Sequence, residues 1–558
     1  MSAPAAAPRP SSPRSASPRS ASPRSASPRL AGTGTLVRLA LRRDRVLLPV
    51  WAVALALAVV GVASAFQSLY TTAADRAGVA RSTNANASVR ALYGPVFGDS
   101  TGSLVAWRMA VLGGVLAGIM SLVIVVRHTR EEEETGRQEL LSAAVVGRRA
   151  PLTAALLTAL AANGLVAVLV AAGLARAGLP AGGSAALGLA VAGTGLCFAG
   201  VAAVTAQLTD TARAARSLAG ATVGLAFLLR AAGDAASADA SSPLVWVSPV
   251  GWAEQTRAFA GERWWVLLLP YAAAALATAA AHALAGRRDI GAGLLAGRPG
   301  AATAPRYLTG AAGLAWRLQR GTLLAWTAGY AVAGAVFGSL VDGVSDLVAD
   351  NESTREIVER MGGHQGLADS FLAALTGLLG MVAALYAVGC VLRLRAEETS
   401  GRAEPVLAGA TGRLRWAAGH LAFAGLGTAV VLLAGGLGMG LAYGVTAGDV
   451  GGRLPAVLGA ALAQLPAAWV LASVAVLLFG VLPRGAVAAW GIAGGCLAIG
   501  WLGPTLRLPG WVMDLSPFGH LPKLPGAGVS AGPFVWLVGL AAVLTGVGVA
   551  GIRRRDVG

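Results

Sequence analysis

Charge is scarce in this chain, and lysine is almost absent. Of 558 residues only 13% are charged while 55% are hydrophobic. A soluble domain carries nearer a quarter charged residues, because it must cover its core with a solvated shell; that shortage excludes a soluble globular protein. Lys523 is the single lysine beside 43 arginines, a usage that, with 76 glycines, suits translation of a GC-rich bacterial genome. A P-loop ATPase needs GxxxxGK[ST], whose lysine reaches the phosphates. Lys523 sits instead in HLPKLP, with no glycine-rich loop before it, so a Walker-type site is excluded. Cysteine is equally sparse. Cys197, Cys390 and Cys496 each lie inside an apolar run, too scattered for a metal or disulfide framework. No aspartate or glutamate falls near the centre of an apolar run, whereas proton-coupled carriers depend on carboxylates at that depth.

What the sequence does hold is apolar runs of about twenty residues, long enough to cross a hydrocarbon layer of roughly 30 Å as helix. They fall at about 46–66, 103–126, 151–174, 185–207, 217–232 and 264–285, then at about 322–342, 369–392, 416–443, 454–479, 486–504 and 533–551. An all-α polytopic membrane protein of twelve spans follows. The fifth run is short and predicts a broken or re-entrant helix. Residues 1–29 repeat the unit SPRSA and read as a disordered basic tail without a signal-peptide core. Thr35–Arg45 places leucines on one face and arginines on the other, the pattern of a helix lying in the headgroup layer. Asn86 and Asn351 begin chance matches to the glycosylation pattern.

The arginines sort to one side of these spans: Arg42, Arg43, Arg45, Arg148, Arg149, Arg213, Arg216, Arg287, Arg288, Arg413, Arg415, Arg484 and Arg553 to Arg555. Positive loops stay in the cytoplasm, so both termini are expected there, in a multi-pass cell-membrane protein. That placement accounts for the net charge of +17 without nucleic acid as a partner.

The chain also repeats itself. REEEETGRQELLSAAVVGR (Arg130–Arg148) aligns without a gap on RAEETSGRAEPVLAGATGR (Arg395–Arg413), VSPVGW (Val247–Trp252) on LSPFGH (Leu515–His520), and GRRDIG (Gly286–Gly291) on RRRDVG (Arg553–Gly558). The order and near-constant offset predict two parallel six-helix repeats, over 30–300 and 301–558. Glu131, Glu132, Glu133 and Glu134 before Gly136-Arg137, and Glu397-Glu398 before Gly401-Arg402, cost too much to sit in lipid and are expected in water at the cytoplasmic face. Apolar Leu140, Leu141, Val145 and Val146 follow at helical spacing, which suggests a short surface helix, acidic at its start where the dipole favours carboxylates. One copy reads as a solvated loop; two copies at matching places read as docking segments. Pro405 is expected to interrupt the second. His128 beside contiguous glutamates offers poor metal geometry, and no metal site is expected.

Ser248, Pro249, Gly251 and Trp252, with Ser516, Pro517 and Gly519 in the second copy, mark the other side of the membrane. Two readings stand there: an aromatic belt built on Trp246, Trp252, Trp264 and Trp265, or an outer gate of short re-entrant helices. Asn163 and Gln464 are the notable polar residues within spans, suited to interhelical hydrogen bonds and, more weakly, to substrate contact. Arg108 and Arg230, near span ends, are expected to snorkel.

The chain resembles the permease subunits of bacterial ABC exporters, in particular the fused two-repeat permeases of tetronasin-type antibiotic exporters. The residues that carry the likeness are REEEETGR with its echo RAEETSGR, Ser248–Trp265 (SPVGWAEQTRAFAGERWW) and Gly286–Gly293 (GRRDIGAG). The resemblance implies an interfacial helix over Leu36–Arg45 and coupling helices at Glu131–Arg137 and Glu397–Arg402, seated in clefts of a separate ABC ATPase. It implies two ATPase copies, ATP and Mg on that partner with no cofactor on this chain, and export of hydrophobic small molecules such as antibiotics. The second repeat departs from the pattern, lacking the tryptophan of SPVGW. Two other classes set the contrast. A major-facilitator carrier would want midplane carboxylates. A membrane-embedded lipid-modifying enzyme would want a cluster of histidine and acid, whereas His128, His282, His364, His420 and His520 are scattered.

Overall fold

A computed structural model describes residues 29–142, 146–237, 241–289, 291–295, 302–303, 305, 308, 310–349, 367–502 and 509–555, all α-helix, 3-10 or π turn, and loop. The tail over 1–28, Val145, Asn351, His364 and Asp556 lie outside the described residues. The first repeat runs α1 (Thr33–Arg43), α2 (Leu47–Leu69), α3 (Ala73–Ala85), α4 (Ala87–Tyr93), α5 (Thr101–Arg127), α6 (Arg130–Glu134), α7 (Arg137–Ser142), α8 (Ala150–Arg176), α9 (Ala181–Leu208), α10 (Ala212–Ala236), α11 (Pro243–Val247), α12 (Gly251–Gln255) and α13 (Leu268–Ala285). The second runs α14 (Ala311–Ala349), α15 (Leu367–Thr399), α16 (Ala403–Leu407), α17 (Arg413–Thr446), α18 (Val450–Val481), α19 (Ala488–Leu502), α20 (Gly510–Met513) and α21 (Ala531–Arg554). Among the described residues eleven helices are long and apolar enough to span a membrane, and α19 is a shorter twelfth.

Local chemistry sets the helix limits. Ser100 and Thr211 cap α5 and α10 by accepting from the backbone N–H three residues on. Thr72 and Asp75 close a capping box on α3. The predicted break in the fifth span is absent, because α10 continues unbroken over 25 residues. Its apolar run looks short only because Arg230 and Asp234 interrupt it, and these neutralise each other one turn apart, at 3.1 Å. In α17 a π-turn over Phe423–Gly427 loosens the backbone, and the Trp469 indole donates to the Gly425 carbonyl there at 3.2 Å.

The same pairs of spans pack in both repeats. First packs on third (α2 on α8, α14 on α17), second on fourth (α5 on α9, α15 on α18), and fourth on sixth (α9 on α13, α18 on α21). Small residues allow the close approach. A β-carbon at Gly334 or Gly338 of α14 would collide with the Gly435 or Met439 carbonyl of α17, and one at Gly480 with the Gly548 carbonyl of α21. Each repeat keeps its own apolar core. Leu57, Leu276, Leu324 and Val543 face outward as lipid-facing residues do.

Candidate functional site

Both acidic segments fold at the arginine-rich end of the bundle, and both are held by opposite charge. In the first repeat α5 ends at Arg127, and α6 and α7 follow as two short helices separated at Gly136, whose φ of +70° is the left-handed conformation that favours glycine. Glu133 is only 5% exposed and bridges Arg130 at 2.8 Å and Arg288 at 2.6 Å. Glu132 pairs with Arg137 at 3.4 Å and with Arg43 of α1. Glu131 pairs with Arg216, and Glu134 accepts from the Ala212 N–H at the start of α10. In the second repeat Glu398 takes a two-pronged contact from Arg555, at 2.8 and 2.6 Å, while Glu397 pairs with Arg393 at 2.9 Å and Arg402 at 3.8 Å. Gly401 carries a φ of +69°.

Aligned position by position, the two segments make the same contacts. Glu133–Arg288 answers Glu398–Arg555, Glu132–Arg137 answers Glu397–Arg402, and Gly136 answers Gly401. The repeated GRRDIG and RRRDVG segments therefore supply the cation that clamps the repeated acidic segment. Sequence reasoning had both halves of this pair and used the arginines only for topology. Opposite charge recurring in two anchors at a fixed offset was the signal.

Two expectations about the segments change. The glutamates do not all lie in water: Glu133, Glu397 and Glu398 are almost fully covered, and the solvent-facing side chains include those of Glu134, Thr135, Arg137, Thr399, Ser400 and Arg402. Pro405 does not interrupt a helix. It sits in the first turn of α16, where no intrahelical donor is lost, and the break falls at Gly401. Glu397 and Glu398 also lie in the last turn of α15 rather than the start of a helix, against the dipole, and their arginine partners offset that.

The amphipathic helix is present as α1. It is moored by Asp44, fully buried at its C-terminus, which takes His128 Nε2 at 2.6 Å and Arg127 at 3.3 Å.

At the opposite end the SPVGW segment folds inward. Ser248 is fully buried; its hydroxyl donates to the Ala226 carbonyl of α10 at 2.6 Å and accepts from the Val250 and Gly251 N–H groups. Gly251 lies against the Val245 carbonyl, where a side chain would not fit. Trp252 donates to the Trp246 carbonyl at 2.7 Å, and Trp246 stacks on Trp265 at 5.7 Å. Of the four tryptophans only Trp264 and Trp265 are exposed. Beyond them Phe259, with φ +64°, inserts its ring against Gly102 of α5 and Gly183 of α9. In the second repeat Ser516 and Pro517 are buried, and Gly519 faces the Met513 carbonyl. Ser516, Gly519 and Lys523 line a 60 Å³ cavity with Gln464, which brings two separately chosen candidates together. Asn163 is fully buried and donates to Ser121 Oγ of α5 at 2.7 Å, an interhelical bond. Arg230 does not snorkel. It is fully buried and paired with Asp234, while Arg108 lies over the Tyr93 ring at 3.8 Å.

Among the described residues, eleven span-length apolar helices with a shorter twelfth define a polytopic membrane protein, and a matched charged clamp recurs at one end of it. A protein described as "Multidrug efflux system permease protein Rv1217c", from Mycobacterium tuberculosis (strain ATCC 25618 / H37Rv), is 47% identical to this chain over 528 residues, covering 94% of this chain and 95% of the relative. The family model "Multidrug efflux system permease Rv1217c, C-terminal domain" matches residues 308–553. The chain belongs to this family of multidrug efflux permeases, and its features fit the permease subunit of an ABC-type exporter.

Proposed function

We propose that this permease is the membrane subunit of an ATP-driven exporter of hydrophobic small molecules, antibiotics among them, energised by a separate ABC ATPase that holds the ATP and Mg. The arginine-rich end faces the cytoplasm, and two ATPase copies dock there, one beneath each acidic segment. What carries this reading is the clamp present in both repeats. It fixes two exposed turns, Glu134–Arg137 and Thr399–Arg402, rigidly to the ends of the spans. A rigid handle passes on a push that a loose loop would absorb. The SPVGW and LSPFGH segments then form the outer gate, with Gln464 and Asn163 the polar groups nearest a route through the spans.

Purified alone, the chain should hydrolyse no ATP; hydrolysis should appear with the partner ATPase and rise with an exported drug. Robust hydrolysis by the isolated chain, with contamination excluded, overturns the reading. Orientation is checked separately. The native cysteines among the described residues are buried, so Ser142→Cys and Ala408→Cys report cleanly. Both should be shielded from an impermeant thiol reagent added to intact cells, and labelling of either from outside reverses the layout.

A further inference from the structure

A second charged cluster lies at the end of the first repeat away from the acidic segments. Arg230 of α10 is fully buried. Its guanidinium donates to the Ala91 and Leu92 carbonyls at 2.7 and 3.1 Å, and its Nη1 lies 3.1 Å from Asp234 and 3.8 Å from Glu254 of α12. Arg90 of α4 donates to main-chain oxygens: the carbonyls of Asp234, Ala235 and Asn84. One guanidinium nitrogen thus faces two carboxyls. Asp234 takes it, leaving Asp234 Oδ1 and both Glu254 oxygens buried with no hydrogen-bond donor. Gly94, with φ +88°, comes so close to Glu254 that a β-carbon there would sit 2.6 Å from Oε2. Glu254 also lines a 20 Å³ cavity with Arg257, Ser103, Tyr93 and Trp107, and Arg257 lies over the Phe97 ring there. The groups facing Glu254 are therefore Arg230 and Asp234 from α10, Gly94 and Tyr93 at the end of α4, and Arg257 from its own loop.

Two ionised carboxylates so placed repel each other in a dry site, and only a proton lets one donate to the other. Burial first, and the Asp234 carboxyl second, push the proton affinity of Glu254 well above the ordinary carboxylate range, and the two side chains are within hydrogen-bonding reach of each other. We propose that Glu254 and Asp234 form a proton-binding site that holds one proton between their carboxyls and ties α10 to α4 and α12. The proton comes from solvent through the small cavity and returns there when the contact opens. The second repeat cannot do this: six residues after the aligned serine, Pro522 stands where the first repeat has Glu254.

The sign of the effect is fixed by linkage. Glu254 binds a proton more tightly folded than unfolded, so its contribution to stability is complete below the ordinary glutamate value of 4.5 and is lost as pH rises toward the raised folded value. The full-length protein in lipid nanodiscs is melted across roughly pH 5 to 9, as wild type and as Glu254→Gln, which copies the neutral acid. The wild-type midpoint should fall by about 2 °C or more relative to the variant as pH rises, with the variant equal or more stable at the alkaline end. Infrared difference spectra of the wild type at neutral pH should show a protonated carboxyl that Glu254→Gln removes. A Gln variant less stable by the same margin at every pH, or parallel pH profiles, would mean an ionised Glu254 paired with Arg230 and would falsify the proposal. Should the Gln variant fail to fold, the infrared band is assigned by its frequency shift in Glu254→Asp; its absence from the wild type is equally fatal.

Discussion

The two repeats share one clamp and surround it differently. In the first, Glu133 answers to two arginines, and one of them, Arg130, is fully buried with its other bonds given to the Ala206 and Ala292 carbonyls. In the second, the matching arginine is Arg395, which turns away to the Arg484 carbonyl, and among the described residues Glu398 pairs with Arg555. Glu132 reaches across to α1, whereas Glu397 is held by Arg393 on its own helix. What recurs is the contact between the segment and the end of the repeat; what differs is how deeply each is keyed into the bundle. The first segment is a keystone among α1, α10 and the 288–292 loop, and the second is a tab on α15 tied to Arg555 at the end of α21.

That difference makes the largest prediction. Glu133→Ala strands a buried Arg130 and a nearly buried Arg288, which costs about 3–5 kcal/mol when one partner of a buried pair is removed. Glu398→Ala strands Arg555, which is 15% exposed, and costs about 1–3 kcal/mol. Thermal unfolding in nanodiscs followed by tryptophan fluorescence should rank Glu133→Ala well below Glu398→Ala. Equal losses would remove the distinction between keystone and tab.

The sequence made the spans legible because hydropathy over twenty residues is a strong, local signal, and the repeat legible because three anchors kept their order. Arg230 reads as snorkelling and the fifth span as broken because, although Asp234 stands one turn along the same helix, the approach of α4 and α12 that buries the pair and brings Glu254 to it is encoded in no local pattern. Glu133 was placed in water because a run of four glutamates looks solvated until Arg288, 155 residues away, is brought to it. Pro405 misled because the true break, Gly401, lies four residues earlier and depends on a left-handed φ. For Arg230 and Glu133 the burial of a charge depends on segments distant in sequence; for Pro405 the deciding feature is a local backbone turn.

The smallest expected effect on stability belongs to the exposed turns, and it separates clamping from docking. Arg137 and Arg402 occupy aligned positions, with side chains 54% and 64% exposed, so reversing either charge disturbs only a solvent-screened pair with Glu132 or Glu397 and should lower stability by about 1 kcal/mol or less. Docking responds to a different balance. A charge pair desolvated at an interface costs roughly 2–5 kcal/mol when broken, some thirty-fold or more in affinity. Arg137→Glu and Arg402→Glu should therefore reach the membrane at wild-type levels and unfold normally, yet recover far less ATPase on co-purification and lose drug resistance. Because the first segment is keyed to α1 and α10 while the second is tied to the end of α21 through Arg555, the two variants need not be equal. A larger loss from Arg137→Glu would show that force enters chiefly through the keyed repeat. A larger loss from Arg402→Glu would show that the freer tab makes the tighter contact. If both variants keep full co-purification and full resistance, the clamp serves only to hold the bundle ends together, and the turns it presents are not where the ATPase docks.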